Sequence, residues 1–187
     1  MFHSTQLRKR IAFMALLPLV AIALAGCPAT PPQVVPSVDL TLYVGLWYQI
    51  SAFPAFFNRN LVGVTAEYTL VDVGVVDVLN KGFEGALDGK EVSIQGEARV
   101  ADPDTNAKLE VEFDFPLGKL FKGEYWIVDL DTTFYQYAAV SDSKRSTLFI
   151  LSRTPQMDQA VYDGIIARLE ANGFDTTKLI LTPQPNP

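Results

Sequence analysis

Side chains suited to catalysis are scarce in this sequence of 187 residues, which contains one His and one Cys. His3 lies within the first 26 residues, which are organised like a removable leader, so no His remains after them. This absence excludes Ser-His-Asp and Cys-His catalysis, His-ligated haem and the usual zinc sites. A single Cys cannot form an intramolecular disulfide. The sequence therefore predicts a protein that is not an enzyme and that uses no metal and no cofactor.

The Cys lies in a specific sequence context. A basic segment, Arg8-Lys9-Arg10, is followed by an apolar run over 11–25, and the run leads into Leu24-Ala25-Gly26-Cys27. This arrangement resembles the lipobox of bacterial lipoproteins and predicts removal of 1–26 and acylation of Cys27. Several acyl chains on one residue anchor a protein durably, whereas one chain holds only marginally. The alternative is an ordinary signal peptide with a Cys at this position by chance.

Residues 27–38 would connect that anchor to the rest of the chain. The segment contains four prolines and no charged residue. Such a composition predicts a semi-rigid, extended tether about 30 Å long, and a flexible linker without further function is the alternative. Pro28, rather than Asp, follows the Cys, which in the sorting pattern of enteric bacteria predicts a lipid-anchored protein of the outer membrane that faces the periplasm.

The charge of the chain limits its partners. The formal net charge is −6, and it becomes −9 without the three basic residues of 1–26. An acidic protein is not suited to nucleic acid or to electrostatic adhesion to anionic headgroups. We therefore expect no nucleic-acid partner and expect membrane attachment to rest on the lipid anchor.

From residue 42 onward, apolar and polar side chains alternate with a period of two, without exception over 107–113. This is the pattern of antiparallel strands with one dry face. Turn sequences rich in Asp, Gly and Ser separate the runs, so consecutive strands are expected to be neighbours. Eight such strands can close into a barrel that leaves no free edge. The predicted strands are 44–53, 64–71, 75–83, 91–100, 107–114, 122–130, 133–140 and 147–153.

The period changes after these strands. Thr154-Pro155 has the residue types of a helix start, and Asn172-Gly173 has those of a helix end. Between them an apolar residue recurs every four positions, which predicts one helix whose apolar face packs outside the barrel. That face is formed by Met157, Val161, Ile165 and Leu169.

The last residues complete the predicted organisation. Residues 177–181 predict one short late strand, and the Pro-rich residues 183–187 are expected to fray. The globular domain is therefore expected to cover 39–182, with no repeat and no second domain.

Three separated segments form a recognisable set. They are Gly45-Leu46-Trp47-Tyr48, then Asp129-Leu130-Asp131 with 135–140, and Leu151-Ser152-Arg153-Thr154-Pro155. The set resembles the three conserved blocks of the lipocalin family, in particular its bacterial outer-membrane lipoproteins and apolipoprotein D. The resemblance implies an all-β, eight-stranded antiparallel up-and-down barrel with one C-terminal α-helix outside and a short late strand. It also implies that Gly45, Trp47 and Arg153 close the floor of the barrel, with the Arg across the Trp.

The resemblance further implies a cavity for one small ligand, lined by Tyr68, Asn80, Tyr125 and Phe149. If Trp47 points inward, alternation along the first strand also sends Gln49, Ser51 and Phe53 inward. Aromatic walls with an amide and hydroxyls suit a long apolar ligand with a polar end. Ordinary core packing is the alternative for each aromatic residue.

The first loop adds candidates at the mouth of the barrel. Phe56 and Phe57 could cap a ligand or touch a membrane, and packing against the rim is the alternative. Arg59 could meet a phosphate or carboxylate headgroup.

These features predict a membrane-anchored lipocalin that binds and stores or transports fatty acids or lysophospholipids in the bacterial envelope. One alternative is a lipocalin-type enzyme that uses an inward carboxylate such as Asp129 or Glu67. Another is a filled barrel that serves only as an envelope interaction module. The sequence leaves open whether two barrels pair as a homodimer.

Overall fold

A computed structural model of the chain describes residues 30–56, 58–115 and 119–186. The predicted signal peptide 1–26, Cys27 and Phe57 lie outside the described residues. The strands are β1 Gly45–Ala52, β2 Leu61–Asp72, β3 Val75–Glu84, β4 Glu91–Val100, β5 Lys108–Phe115, β6 Lys119–Leu130, β7 Tyr137–Ser141, β8 Leu148–Ser152 and β9 Ile180–Leu181. The helices are α1 Leu40–Tyr43 and α2 Gln159–Ala171, with a 3-10 turn at Thr176–Lys178.

The first eight strands close into an antiparallel barrel. Each pairs with the next along the chain, and β1 also pairs with β8, which completes the circle. The segment before β1 closes one end, where Val38, Leu40 and Tyr43 are buried. The other end is the mouth, which carries the loops that follow β1, β3 and β7. The predicted barrel with one outer helix and a short late strand is confirmed.

The alternation over 107–113 explains how the sequence selects this sheet. Ala107, Leu109 and Val111 are buried, whereas Glu110 between them is exposed. Burial of each Leu or Val side chain contributes about 1.5–3 kcal/mol, and a register slip of one residue would expose the whole set.

The predicted start of β7 is wrong. The strand begins at Tyr137 rather than at 133. The Oδ1 atom of Asp131 accepts the backbone N–H of Thr133 at 3.1 Å and of Phe134 at 3.2 Å, which bends these residues into a turn. Such local side-chain to backbone bonds compete with strand pairing.

The predicted start of α2 is also wrong. The helix begins at Gln159 because Asp158 is its N-cap and accepts the N–H of Ala160 at 2.8 Å. Thr154 instead donates its hydroxyl to the carbonyl oxygen of Gln156 at 2.7 Å. The predicted end is confirmed: Asn172 is the C-cap, and a glycine with φ +83° follows it.

Helix α2 packs on the outside of the barrel through a narrower face than predicted. Ile165 and Leu169 are buried, whereas Val161 is 41% exposed. The two buried residues belong to a cluster between the helix and the barrel wall, which we call the helix-side cluster. Its members are Ile50, Phe53, Val128, Ala139, Leu148, Ile150, Ile165, Leu169 and Phe174. Among the described helices, none is long and apolar enough to cross a membrane.

The described part of the predicted tether is packed on the barrel, which differs from a free spacer. We call residues 30–38 the N-terminal strap. Its backbone N–H groups at Val35 and Val38 donate to the wall at 3.0 and 2.8 Å, and both side chains are buried. Gln33 and Asn172 exchange two hydrogen bonds at 2.9 and 2.8 Å. The strap runs from the closed end to the mouth, where Arg145 of the loop after β7 donates to the carbonyl oxygen of Thr30 at 2.7 Å.

The C-terminal residues are not frayed where the structure describes them. We call residues 182–186 the C-terminal tail. It follows β9, which pairs with the mouth end of β1, and it fills a gap between β1 and β2. The N–H of Gly63 donates to the carbonyl oxygen of Pro183 at 2.7 Å. The Nε2 of Gln184 donates to the carbonyl oxygens of Gln49 at 2.8 Å and Val64 at 2.9 Å. The tail is therefore part of the barrel wall.

Candidate ligand-binding site

Burial inside the barrel decreases from the floor toward the mouth. Strand register places Trp47, Ala66, Asn80 and Ile94 in one inward-facing row, because Trp47 and Ala66 belong to the interior core. Asn80 and Ile94 are only half-buried although they face inward, and Val92, one row nearer the mouth, is also half-buried. Solvent therefore reaches these inward positions from the mouth.

Small residues line the interior at seven positions. Their pairing directs them inward, and none carries a side chain larger than a methyl group. They are Ala52, Ala66, Gly82, Gly96, Ala98, Gly123 and Ala138.

The floor is built around Trp47, which has no exposed surface. Its Nε1 donates to the carbonyl oxygen of Tyr43 at 2.8 Å. The guanidinium of Arg153 lies 3.8 Å from the centre of the Trp47 ring. Gly45 has φ +99°, a conformation that a side chain would strain, and a Cβ there would lie 3.4 Å from Arg153 Nη1. Arg153 also donates to main-chain carbonyl oxygens at the start of β1, those of Leu42, Tyr43, Val44 and Leu46.

Three tyrosine hydroxyls meet beside this floor, and we call Tyr43, Tyr68 and Tyr125 the tyrosine triad. The hydroxyl oxygens of Tyr43 and Tyr125 are 2.7 Å apart, and Tyr125 donates to Tyr68 at 3.0 Å. Burial raises the pKa of Tyr68 to about 12 and raises the pKa of Tyr43 and of Tyr125 well above the ordinary value. The triad is therefore neutral at physiological pH.

Below the triad there is no room for a ligand. The residual void there has a volume of about 20 Å³ and is lined by Leu40, Tyr43, Val44, Tyr68, Val76, Ala98, Leu109 and Tyr125. This volume holds about one water molecule. A ligand chain must therefore lie between the triad and the mouth.

The predicted orientations along β1 are correct only as far as Gln49. A β-bulge at Ile50 shifts the pairing of β1 with β8, so the later residues reverse their faces. The hydroxyl of Ser51 accepts a hydrogen bond from Tyr162 of α2 at 3.0 Å, and Phe53 lies in the helix-side cluster. Their predicted inward orientation is wrong. Gln49 faces the interior, and its Nε2 donates to Thr182 Oγ1 at 2.7 Å.

The remaining predicted cavity residues lie inside the barrel. Tyr68 and Tyr125 belong to the triad, and Phe149 is half-buried against the interior core. The side chain of Asn80 makes no hydrogen bond to any of the described residues, although it faces the interior. Asn80 thus presents a free amide to whatever occupies the barrel.

The acids considered for catalysis lie outside the cavity. Asp129 forms an ion pair with Arg168 of α2 at 2.9 Å, and Glu67 is exposed on the outer face of β2. Neither of these two acids has the inward orientation that the enzyme alternative requires.

The mouth holds an open pocket of about 580 Å³. We call it the mouth pocket, and its lining residues are Arg59, Asn60, Leu61, Glu84, Gly85 and Val92. Phe56, in the same loop as Arg59, is 73% exposed.

Sequence reasoning missed two residues of the site. Tyr43 lies in α1, outside the strand periodicity, and its one signal is an aromatic side chain just before Gly45 and Trp47. Glu84 lies one position beyond the predicted end of β3. The inward alternation of Val76, Val78, Asn80 and Gly82 continues to it.

Comparison with known proteins agrees with this geometry. Residues 38–184 match the family described as "Lipocalin-like domain". The chain belongs to the lipocalin family. The lipocalin is 39% identical to "Outer membrane lipoprotein Blc" of Escherichia coli strain K12, over 92% of this chain and 99% of the relative. It is 34% identical to "Apolipoprotein D" of Mus musculus, over 87% of this chain and 85% of the relative.

Solved structures show the same lipocalin fold. Insecticyanin from Manduca sexta superposes with a TM-score of 0.68 at 20% sequence identity, over 86% of this chain and 87% of the other. At this level of identity the likeness supports the fold alone. The class of ligand must therefore be inferred from the residues that line the interior and the mouth of this lipocalin.

Proposed function

We propose that this lipocalin binds single-chain amphiphiles, fatty acids or lysophospholipids, and stores or transports them in the bacterial envelope. The alkyl chain lies between the tyrosine triad and the mouth, and the polar end points to the solvent. No bond of the ligand is changed, because the two carboxylates considered for catalysis lie on the outer surface.

One observation carries this proposal: inward-facing Asn80, Val92 and Ile94 are only half-buried above a packed floor. A filled barrel would bury these positions as completely as Ala66 and Ala98. An apolar wall with a few polar groups is the usual lining of a site for a hydrophobic ligand.

The proposed location is the outer membrane, where acylated Cys27 would anchor the protein with its barrel on the periplasmic side. The lipobox supports the anchor, and the relatives named outer membrane lipoproteins support the location. An anchor at the bilayer places the barrel beside a source of acyl lipids.

The test uses two variants of β4 that differ only in the face they occupy. Ile94→Phe adds volume inside the barrel, whereas Ser93→Phe adds the same ring to the outer face. The full acylated chain is extracted from its membrane, and native mass spectrometry identifies what it carries. It is then delipidated, and rebinding of a 16-carbon fatty acid and lysophospholipid is titrated.

We expect wild type and Ser93→Phe to carry and rebind acyl lipid, and Ile94→Phe to bind at least about tenfold more weakly. Wild-type protein without retained or rebound lipid would overturn the proposal and favour the filled-barrel module. Equal weakening by both variants would also overturn it, because the site would then not lie inside the barrel.

A further inference from the structure

The mouth pocket brings two opposite charges to the opening of the barrel. Glu84, the last residue of β3, is the pairing partner of Leu61, and Arg59 lies two residues before Leu61. The N–H of Gly85 donates to the carbonyl oxygen of Asn60 at 2.8 Å, which ties the two segments together. The tie places Arg59 and Glu84 around one pocket of about 580 Å³.

Within the described part of the chain, no residue pairs with either of these charges. Both side chains are exposed, and neither forms an ion pair with any described residue. Two opposite charges in one pocket that do not pair with each other are both available to a bound molecule. Lys90 is close to Glu84 in the chain, and the hydrogen bond between them joins backbone atoms: the N–H of Glu84 donates to the carbonyl oxygen of Lys90 at 3.0 Å.

The pocket is continuous with the inward rows. Leu61 and Val92 line it, and Val92 pairs with Gly82, one row above Asn80 and Ile94. An alkyl chain that follows these rows to the mouth therefore brings its headgroup between Arg59 and Glu84.

We infer that the mouth pocket selects a zwitterionic headgroup, with a phosphate against Arg59 and an ammonium against Glu84. This inference rests on the proposed function, because the rows below must hold the alkyl chain. A guanidinium binds phosphate oxygens through two parallel hydrogen bonds, and a carboxylate accepts from an ammonium. A singly anionic amphiphile would satisfy Arg59 but would place its charge near Glu84, in a protein that is acidic overall.

The experiment measures preference rather than binding alone. The full acylated chain, held in vesicles of diacyl phosphatidylcholine, is loaded with a fluorescent fatty acid. The competitors share a 16-carbon chain: lysophosphatidylethanolamine, lysophosphatidylcholine, lysophosphatidylglycerol and palmitate. The choline compound keeps the positive charge without N–H donors, so it separates charge from hydrogen bonding.

We expect wild type to prefer the two zwitterions to the two anions by about two- to fivefold, a range typical of exposed charge contacts. Glu84→Gln should abolish the preference mainly by improving the binding of the anions. Arg59→Gln should weaken the binding of all four competitors, because each places a phosphate or a carboxylate against this residue. Asp77→Asn is the control, since Asp77 is an exposed acid of the same strand that lies outside the pocket.

The outcomes separate this inference from the proposed function. Equal affinity for all four competitors, or a preference that Glu84→Gln leaves unchanged, would overturn the headgroup selection and leave the lipid site intact. An equal effect of Asp77→Asn and Glu84→Gln would overturn it too, because the preference would then reflect net charge. Absence of displacement by any competitor would overturn the lipid site itself.

Discussion

The side chain of Arg153 lies 3.8 Å from the centre of the Trp47 ring and donates hydrogen bonds to four backbone carbonyl oxygens before and within β1, those of Leu42, Tyr43, Val44 and Leu46. A cation over an indole contributes about 0.5–2 kcal/mol. The hydrogen bonds join the end of β8 to the segment that closes the barrel. One residue thus secures the floor on which the cavity rests.

Replacement of Arg153 by Ala is expected to lower the free energy of unfolding by about 2–4 kcal/mol, because the ring contact and several exposed or partly buried hydrogen bonds are lost together. Arg153→Lys should recover only part of this, since an ammonium cannot reach all the carbonyl oxygens. Urea unfolding followed by tryptophan fluorescence measures both. Arg99→Ala, at an exposed arginine of β4, is the control and should change stability by less than about 0.5 kcal/mol. A similar loss in Arg99→Ala would contradict the assignment.

The tyrosine triad predicts loss of stability in alkali. Burial raises the pKa of Tyr68 from 10.0 to about 12, so the folded protein keeps a proton that the unfolded chain releases above pH 10. The stability is fully present below pH 10 and is lost as the pH rises toward 12, by about 2–3 kcal/mol for this residue. Urea unfolding between pH 8 and 11.5 measures the slope.

Tyr68→Phe removes one of these titrating groups, so its stability should fall less steeply above pH 10. Tyr48→Phe serves as the comparison, because Tyr48 lies outside the triad and all three hydroxyls remain. The prediction fails if Tyr68→Phe and wild type lose stability with the same slope.

The two phenylalanines Phe53 and Phe149 should behave differently when shortened. Phe53→Ala is expected to lower the free energy of unfolding by about 3–4 kcal/mol without a change in lipid affinity, because Phe53 packs in the helix-side cluster. Phe149→Ala should cost less, since Phe149 is half-buried, and should shift the preference toward longer chains by enlarging the cavity. Unfolding curves and a titration with 12- to 18-carbon fatty acids separate the two. A change in chain-length preference in Phe53→Ala would contradict this assignment, because it would show that the Phe53 ring lines the cavity.

The C-terminal tail predicts a sharp dependence on chain length. A chain that ends at Leu181 loses the hydrogen bonds from Gly63 and from Gln184, so its stability should fall by about 1–3 kcal/mol. Hydrogen exchange at the Gly63 amide should accelerate accordingly. A chain that ends at Gln184 keeps these bonds and is the matched control. Equal exchange at Gly63 in the two shortened chains would show that the tail does not belong to the wall.

The sequence predicted the strands and the floor well, because alternation and the Gly45-x-Trp47 motif are local features. The face of Phe53 could not be predicted in this way. The bulge at Ile50 arises from the pairing of β1 with β8, and a single strand carries no sign of it.

The strap and the tail illustrate a second limit. Their proline content led to the prediction of a free tether and a frayed end, because composition does not reveal the surface on which such a chain lies. The sequence does contain one sign of this packing, the apolar residues Val35 and Val38. Both are buried in the structure, which a free tether would not allow. In the tail, Gln184 bonds to β1 and β2, segments more than 100 residues away in the chain.

The position of Thr30 has a consequence for how the molecule would sit in the envelope. Arg145 holds this residue at the rim of the barrel, and three peptide units separate it from Cys27, a span of at most about 11 Å. Acyl chains on that cysteine would anchor the protein close to the mouth of its barrel, so the mouth would face the membrane leaflet. A bound lipid could then exchange between the barrel and the bilayer over a few ångströms, without crossing bulk water.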